Sequence, residues 1–359
     1  MAAGVTAAVL LLHFLLPNGD ETRWAGLMRQ AAVAMEESIR NVADERMLRF
    51  GRIDPITDPN GTGLIGAEWS PITSTYGQLG AKRTATNPNF AALLTLLLLE
   101  AGVNADSAVV ISASGSFPSL LLATLHAVEV IRATPLLIVS LTASMFGANE
   151  PEFTLLDILA CCSGRAVTPV AASVGGEDDR GSGLDRDVVE SLASAIRALG
   201  IPLIEPDSLE DAVSQRMEAV SHAAQGREID GFVNIGGGWA SMGTDSEVLE
   251  IQPGLNRTAE AFPPSESRGL IFEFLARGIP VVHLLNIRDL ALAYGLPWDP
   301  VPLPEAGRGG LYYDRETARH RDLWLPAVWI VSMVAIFAGS GPWFRTRRRK
   351  RPGDETEPH

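Results

Sequence analysis

Residues 108–141 read AVVISASGSFPSLLLATLHAVEVIRATPLLIVSL, and this stretch decides the fold. Ala108 to Ala113 is a short β-rich run, Phe117 to Arg132 an apolar segment of helical length, and Pro135 to Leu141 a second β-rich run. Strand, helix and strand in that order form a β-α-β unit, whose two strands lie parallel. Both strands are apolar on consecutive positions, as in Val109-Val110-Ile111 and Leu136-Leu137-Ile138-Val139. That pattern belongs to strands covered on both faces.

Downstream the alternation continues. Thr154 to Cys162, Asp187 to Leu199, Leu209 to Ala224 and Ile271 to Ala276 read as helices. Val167 to Val174, Ile201 to Ile204, Gly231 to Ile235 and Ile279 to Leu285 read as strands between them. The expected architecture is a Rossmann-like α/β fold, a mostly parallel sheet with helices on both faces. Upstream, Asn87 caps and Pro88 opens a helix that runs to about Gly102. Residues 20–50 have helical spacing of Leu27, Ala31, Ala34, Met35 and Ile39 and read as a stalk or packing helix. Turn formers from 51 to 66 follow it. The α/β domain is placed at 51–295 and a Pro/Gly linker at 296–322, marked by Pro297, Pro300, Pro302, Pro304, Gly307, Gly309 and Gly310.

The two ends read differently. Leu323 to Phe344 is an apolar run of 22 residues, followed by six cations in the seven positions 345–351. At about 1.5 Å per residue it has the length of a membrane span, with the basic tail 345–359 held in the cytoplasm. Residues 1–17 read as a second anchor or a signal-like segment. The expectation is therefore an α/β domain flanked by N-terminal and C-terminal transmembrane helices, on the outer side of a cytoplasmic membrane.

Ahead of residue 345 the chain carries 23 basic and 40 acidic residues, a net charge of −17. Such a surface opposes nucleic-acid binding, which needs a basic footprint. The two cysteines, Cys161 and Cys162, are adjacent on a helix, where their side chains diverge. They make neither a disulfide framework nor a zinc site.

In a doubly wound sheet, chemistry gathers beyond the carboxyl ends of the strands. Those positions here are rich in Ser, Gly and Asn. Ser114-Gly115-Ser116 precedes a helix, where Ser116 reads as a cap, a ligand group or a nucleophile at a sharp turn. The following strand exits carry Ser140 to Asn149, Gly175-Gly176 with Asp178 and Asp179, and Gly236-Gly237-Gly238-Trp239. Asp178 and Asp179 read as cation ligands, as acid and base, or as ordinary loop composition. Lys82, Arg83, Thr84 and Asn87 concentrate cations and hydrogen-bonding groups in an acidic chain, either to hold a carboxylate or phosphate or to pair locally. His283 ends the run Pro280-Val-Val-His and completes a set with Ser116 and an acid such as Asp157 or Asp178, although it also reads as a hydrogen-bonded core histidine. No metal site and no cofactor is assigned.

The ordered set Ser70-Pro-Ile-Thr-Ser-Thr-Tyr-Gly77, Ala81-Lys-Arg-Thr84 with Asn87-Pro88, Ser114-Gly-Ser-Phe-Pro118, Phe146-Gly-Ala-Asn149 and Ser173-Val-Gly-Gly176 resembles the poly-gamma-glutamate system proteins of bacteria. The resemblance covers roughly residues 20–290. It implies an accessory role in making, exporting or processing poly-gamma-glutamate, with the synthase and export membrane proteins as partners. It assigns no reaction. The polymer carries a carboxylate on every residue, so Lys82, Arg83 and the amides after Gly115 are expected to meet it, and nucleic acid is not expected as a partner. The alternative expectations are a hydrolase or amide-transferring enzyme acting on gamma-glutamyl linkages, and a small-ligand sensor using the Gly-rich strand ends.

Overall fold

The computed structural model describes residues 20–176 and 178–314, together with residue 330. The chain divides into two compact units, Trp24–Leu311 and a smaller one made of Met1–Arg23 with Tyr312–His359. Within the smaller unit, Asp20 to Thr22 pair with 312–314 through Thr22 N donating to Tyr312 O (3.0 Å) and Asp314 N to Asp20 O (2.8 Å).

The larger unit opens with helix α1 (Ala25–Phe50), then a short strand β1 (Thr73–Thr75), α2 (Leu79–Ala85) and α3 (Asn89–Ala101). The β-α-β unit follows as β2 (Ala108–Ser114), α4 (Pro118–Ile131) and β3 (Thr134–Ser140). After it come the short strands β4 (Ala143–Ser144), β5 (Asn149–Glu150) and β6 (Phe153–Thr154), and the helix α5 (Leu155–Ala160). The chain continues through β7 (Ala171–Ser173), α6 (Arg186–Ala198), β8 (Leu203–Ile204), α7 (Leu209–Ala224) and β9 (Ile229–Ile235). It closes with α8 (Trp239–Met242), β10 (Gly254–Asn256), α9 (Leu270–Ala276), β11 (Val281–Leu284) and α10 (Ile287–Ala293).

Seven of these strands form one sheet in the order β10-β11-β9-β2-β3-β7-β8, all parallel except the edge strand β10. The central strands are buried on both faces, as their unbroken apolar runs require. Ala108, Val110, Leu136, Ile138 and Phe232 pack with residues of α7 and α9, where Phe232 stacks on Phe274 at 4.5 Å between centroids. On the other side Gly231 lies against Leu98 of α3, Val103 and Val109. The chain steps outward from β2 through β3, β7 and β8, then returns to add β9 on the opposite side of β2. That reversal leaves a crevice at the carboxyl ends of β2 and β9.

The expectation of flanking transmembrane helices is corrected. Among the described residues no helix is long and apolar enough to cross a membrane. The longest, α1, has 26 residues but carries Arg29, Glu36, Glu37, Arg40, Asp44, Glu45, Arg46 and Arg49. It buries one stripe, with Met28, Ala32, Met35, Ile39 and Val42 covered. The expected spans 1–17 and 323–344 and the basic tail 345–359 lie, residue 330 apart, outside the described residues. The membrane assignment that rested on those spans goes with them.

The proline-rich stretch after residue 296 is strapped to the helices that begin the unit. Asn60 Nδ2 donates to Pro300 O (2.9 Å), Asp299 N to Thr84 Oγ1 (2.8 Å), Asn89 Nδ2 to Glu305 O (3.1 Å) and Gly307 N to Asn89 Oδ1 (3.0 Å).

Candidate functional site

A cleft of about 620 Å³ opens over the carboxyl ends of β2, β3 and β9. Its floor is built by the turns that leave β2 and β3. Gly115 N donates to both Ser140 O (3.0 Å) and Thr142 O (3.1 Å), and Ala148 N donates to Gly115 O (2.7 Å). A Cβ on Gly115 would meet Ala143 Cβ, Leu141 O and Thr142 O at about 3.0 Å, so the two turns need glycine here to touch.

Ser144 is fixed on this floor. Its strand β4 pairs in parallel with β1, Thr75 lying opposite Ser144. Ser144 N donates to Ser116 Oγ (3.0 Å), and Met145 N to Thr75 O (3.0 Å). Two residues on, Phe146 sits at φ +61°, a left-handed conformation that a residue with a Cβ holds only when its surroundings impose it. Phe146 N donating to Ala67 O (2.8 Å) and Gly66 N donating to Phe146 O (3.3 Å) supply that constraint.

Lys82 reaches the same point from α2. The helix turns Ala81, Lys82, Thr84 and Ala85 inward, so Lys82 is only 3 % exposed. Its Nζ lies 2.5 Å from Ser116 O, to which it donates, and 2.7 Å from Ser144 Oγ. No carboxylate stands beside it among the described residues; instead it lies 3.7 Å from the centroid of the Phe117 ring. The ring face favours the ammonium by about 1 kcal/mol, but desolvation is the larger effect and brings the amine down to about 7. Once neutral, the amine keeps an N–H for Ser116 O and turns a lone pair toward the Ser144 hydroxyl.

The neighbouring charges are differently employed. Arg83, next to Lys82, gives its fork to Asp299, with Nε at 2.6 Å from Oδ1 and Nη2 on Oδ2, and Asp299 raises its pKa further. Thr84 bonds Gly80 O and Asp299 N. Asn87 accepts from Asn89 N (3.0 Å) and shapes the start of α3. Asn149 is a brace, donating to Ala67 O and Thr73 Oγ1, each at 2.8 Å. None of these four lines the cleft, whereas Lys82, Ser114, Ser116, Gly175, Gly176 and Gly237 do.

Ser116, Asp178 and His283 belong to three separate networks. Asp178 accepts from Arg180 N, Ser182 N and the Ser182 hydroxyl; desolvation opposes its charge, but these bonds outweigh it and lower its pKa. His283, buried in β11, bonds Asn234 Nδ2 at 3.0 Å, and burial lowers its pKa to about 4. A second Ser-His-acid array joins α1 to α4: Ser38 Oγ lies 2.7 Å from His126 Nε2, and His126 Nδ1 lies 3.6 Å from Glu129. Ser38 and His126 are fully buried, so this array is a joint between helices. Among the described residues no group of three or more His, Cys, Asp or Glu side chains is placed to hold a metal ion.

Two guanidinium groups in the cleft escape a reading by motif. Arg216 of α7 is 1 % exposed, forms an ion pair with Asp179 Oδ2 (2.5 Å) and donates to Ser173 Oγ (3.0 Å) and Ala212 O (3.1 Å). It sits in the buried stripe Ala212, Arg216, Val220, Ala224, and a cation at a core position is the signal that marks it in the sequence. Arg288, on α10, stands exposed at the mouth.

No family model, curated protein or solved structure matches this chain.

Proposed function

We propose that the chain is an acyl-transfer enzyme acting on gamma-glutamyl amide bonds, with Ser144 as nucleophile and Lys82 as its base. One observation carries the chemistry: a desolvated lysine amine 2.7 Å from a serine hydroxyl, on the floor of an open cleft. An amine that loses its proton near neutral pH matches what a general base requires, and serine with lysine is a known alternative to serine with histidine. The substrate class rests on the resemblance to the poly-gamma-glutamate system proteins.

In the reaction, Ser144 Oγ attacks the γ-carbonyl carbon while its proton passes to Lys82 Nζ. The C–N bond then breaks, and the departing nitrogen takes that proton, leaving an ester on Ser144 and a neutral lysine. Water or an acceptor amine, deprotonated by the same lysine, then attacks the ester carbonyl carbon; the C–O bond to Ser144 breaks, and Lys82 returns that proton to Ser144 Oγ. Ser116, accepting from Ser144 N, holds the nucleophile in place.

The test is incubation of the full chain with poly-gamma-glutamate, followed by polymer length. Shortening or amine transfer is expected, lost by roughly a thousandfold or more in S144A and in K82M. The rate should rise with pH through about 7, because only the neutral amine accepts the proton. No change in the polymer, or full activity in S144A, would sink the reading.

A second reading is supported by the mouth of the cleft, where Trp69 (59 % exposed) and Tyr76 (88 %) lie 6.2 Å apart. This is surface for holding a chain without reacting with it, as an accessory component working beside the polymer's synthase and export proteins would. Binding of polymer by wild type and S144A alike, with no cleavage by either, would favour it.

A further inference from the structure

We propose that Arg288 is the carboxylate-recognition residue of the cleft, taking the free α-carboxylate of a γ-linked glutamyl unit; this rests on the gamma-glutamyl reading above. Arg288 lines the same cleft as Lys82 and Ser144. Among the described residues that line it, Arg288 is the guanidinium with no carboxylate within ion-pair distance, since Arg216 is held by Asp179. The nearest acid on its own helix is diverted, because Asn286 Nδ2 donates to Asp289 Oδ2 at 2.7 Å. In a chain of net charge −14, a guanidinium kept clear of carboxylates at the entrance to a cleft marks a place for an incoming one.

The group is also held in position. Its Cζ lies 5.8 Å from the centroid of the Trp298 ring, a contact that steadies the guanidinium and leaves its N–H edge open for a bidentate partner. Trp298 in turn packs on Gly80, where a Cβ would come within 2.9 Å of Trp298 Cζ2. The residue after Trp298 is Asp299, which grips Arg83. The guanidinium is thereby registered to α2, the helix that carries Lys82. A lysine ammonium can supply charge at this place but neither the planar fork nor the stacking.

The test uses the full chain as S144A, so that nothing is consumed, and two probes: a synthetic γ-linked glutamyl pentamer with free α-carboxylates, and the same pentamer as α-carboxamides. Calorimetry should show the carboxylate form binding roughly tenfold more tightly, with R288Q erasing that preference and R288K restoring part of it. Arg288 is exposed, so R288Q should melt at the wild-type temperature. Equal binding of the two pentamers by S144A, or an undiminished preference in R288Q, would overturn the proposal. If the preference follows Arg288 while wild type fails to cleave polymer, carboxylate recognition stands and the acyl-transfer reading fails.

Discussion

Burying Lys82 at 3 % exposure without a carboxylate beside it works against the fold while it prepares the chemistry. Its amine titrates at about 7 in the folded chain and at its ordinary 10.5 when unfolded. Between those values the unfolded chain binds a proton that the folded chain does not, so stability climbs as pH rises across that window. Below about 7 the burden is fully present. Lys82→Met should therefore raise the unfolding free energy by about 1–3 kcal/mol at pH 7, less near pH 10, while abolishing turnover. Denaturant melts at the two pH values measure this, and a gain that does not shrink with pH would contradict it. The sequence shows Lys82 only as one half of a Lys-Arg pair among hydroxyls. That the pair divides, Lys82 inward to Ser144 and Arg83 outward to Asp299, depends on how α2 seats against the turns after β2 and β3, and no local pattern encodes that.

At the scale of elements, Ser144, the proposed nucleophile, lies off the main sheet, on the two-residue strand β4 paired with the three-residue β1. Gly77, just past β1, fits closely against it: a Cβ there would lie 2.4 Å from Met145 O and 3.1 Å from Ser144 Oγ. Gly77→Ala should push the 143–146 turn aside, lowering stability by about 1–3 kcal/mol. Cleavage should fall further than that loss of folded protein explains, as activity per folded molecule would show. The long elements were readable because burial imposes its period on them. The helix expected at 209–224 matches α7 in its limits, and the strand expected at 108–113 differs from β2 by one residue. Strands β1 and β4 are too short to show a period, and α2 has seven residues. That the turn at Ser114-Gly115-Ser116 lies at the cleft is legible because it follows a buried strand; Ser144, whose N donates to Ser116 Oγ, is legible only as one of several small polar residues after the next.

Over the whole molecule, residues far apart in the chain close the unit that holds the cleft. Segment 298–307 crosses back over α1, α2 and α3, through Arg83 with Asp299, Asn60 with Pro300, Asn89 with Glu305, and Arg29 Nε donating to Gly307 O (3.3 Å). Its prolines and glycines have the composition of a linker, and most of the bonds that tie it use backbone groups, which leave no mark in composition. Asp299→Ala removes a half-buried ion pair and leaves Arg83 without its acid. Unfolding free energy should drop by about 1–3 kcal/mol, and proteolytic cutting within 300–311 should quicken. Unaltered cutting would show that the rest of the strap suffices.

The strap also sets an order of events during synthesis. Domains form from the N-terminus as the chain emerges, yet α2 obtains its clamp from Asp299, and Arg288 its aromatic support from Trp298, only when the last part of this unit has been made. A nascent chain can assemble the sheet, from β2 through β9, well before the lysine helix is secured. The contacts that fix α2 and support Arg288 are therefore completed only by residues made after every strand of the sheet.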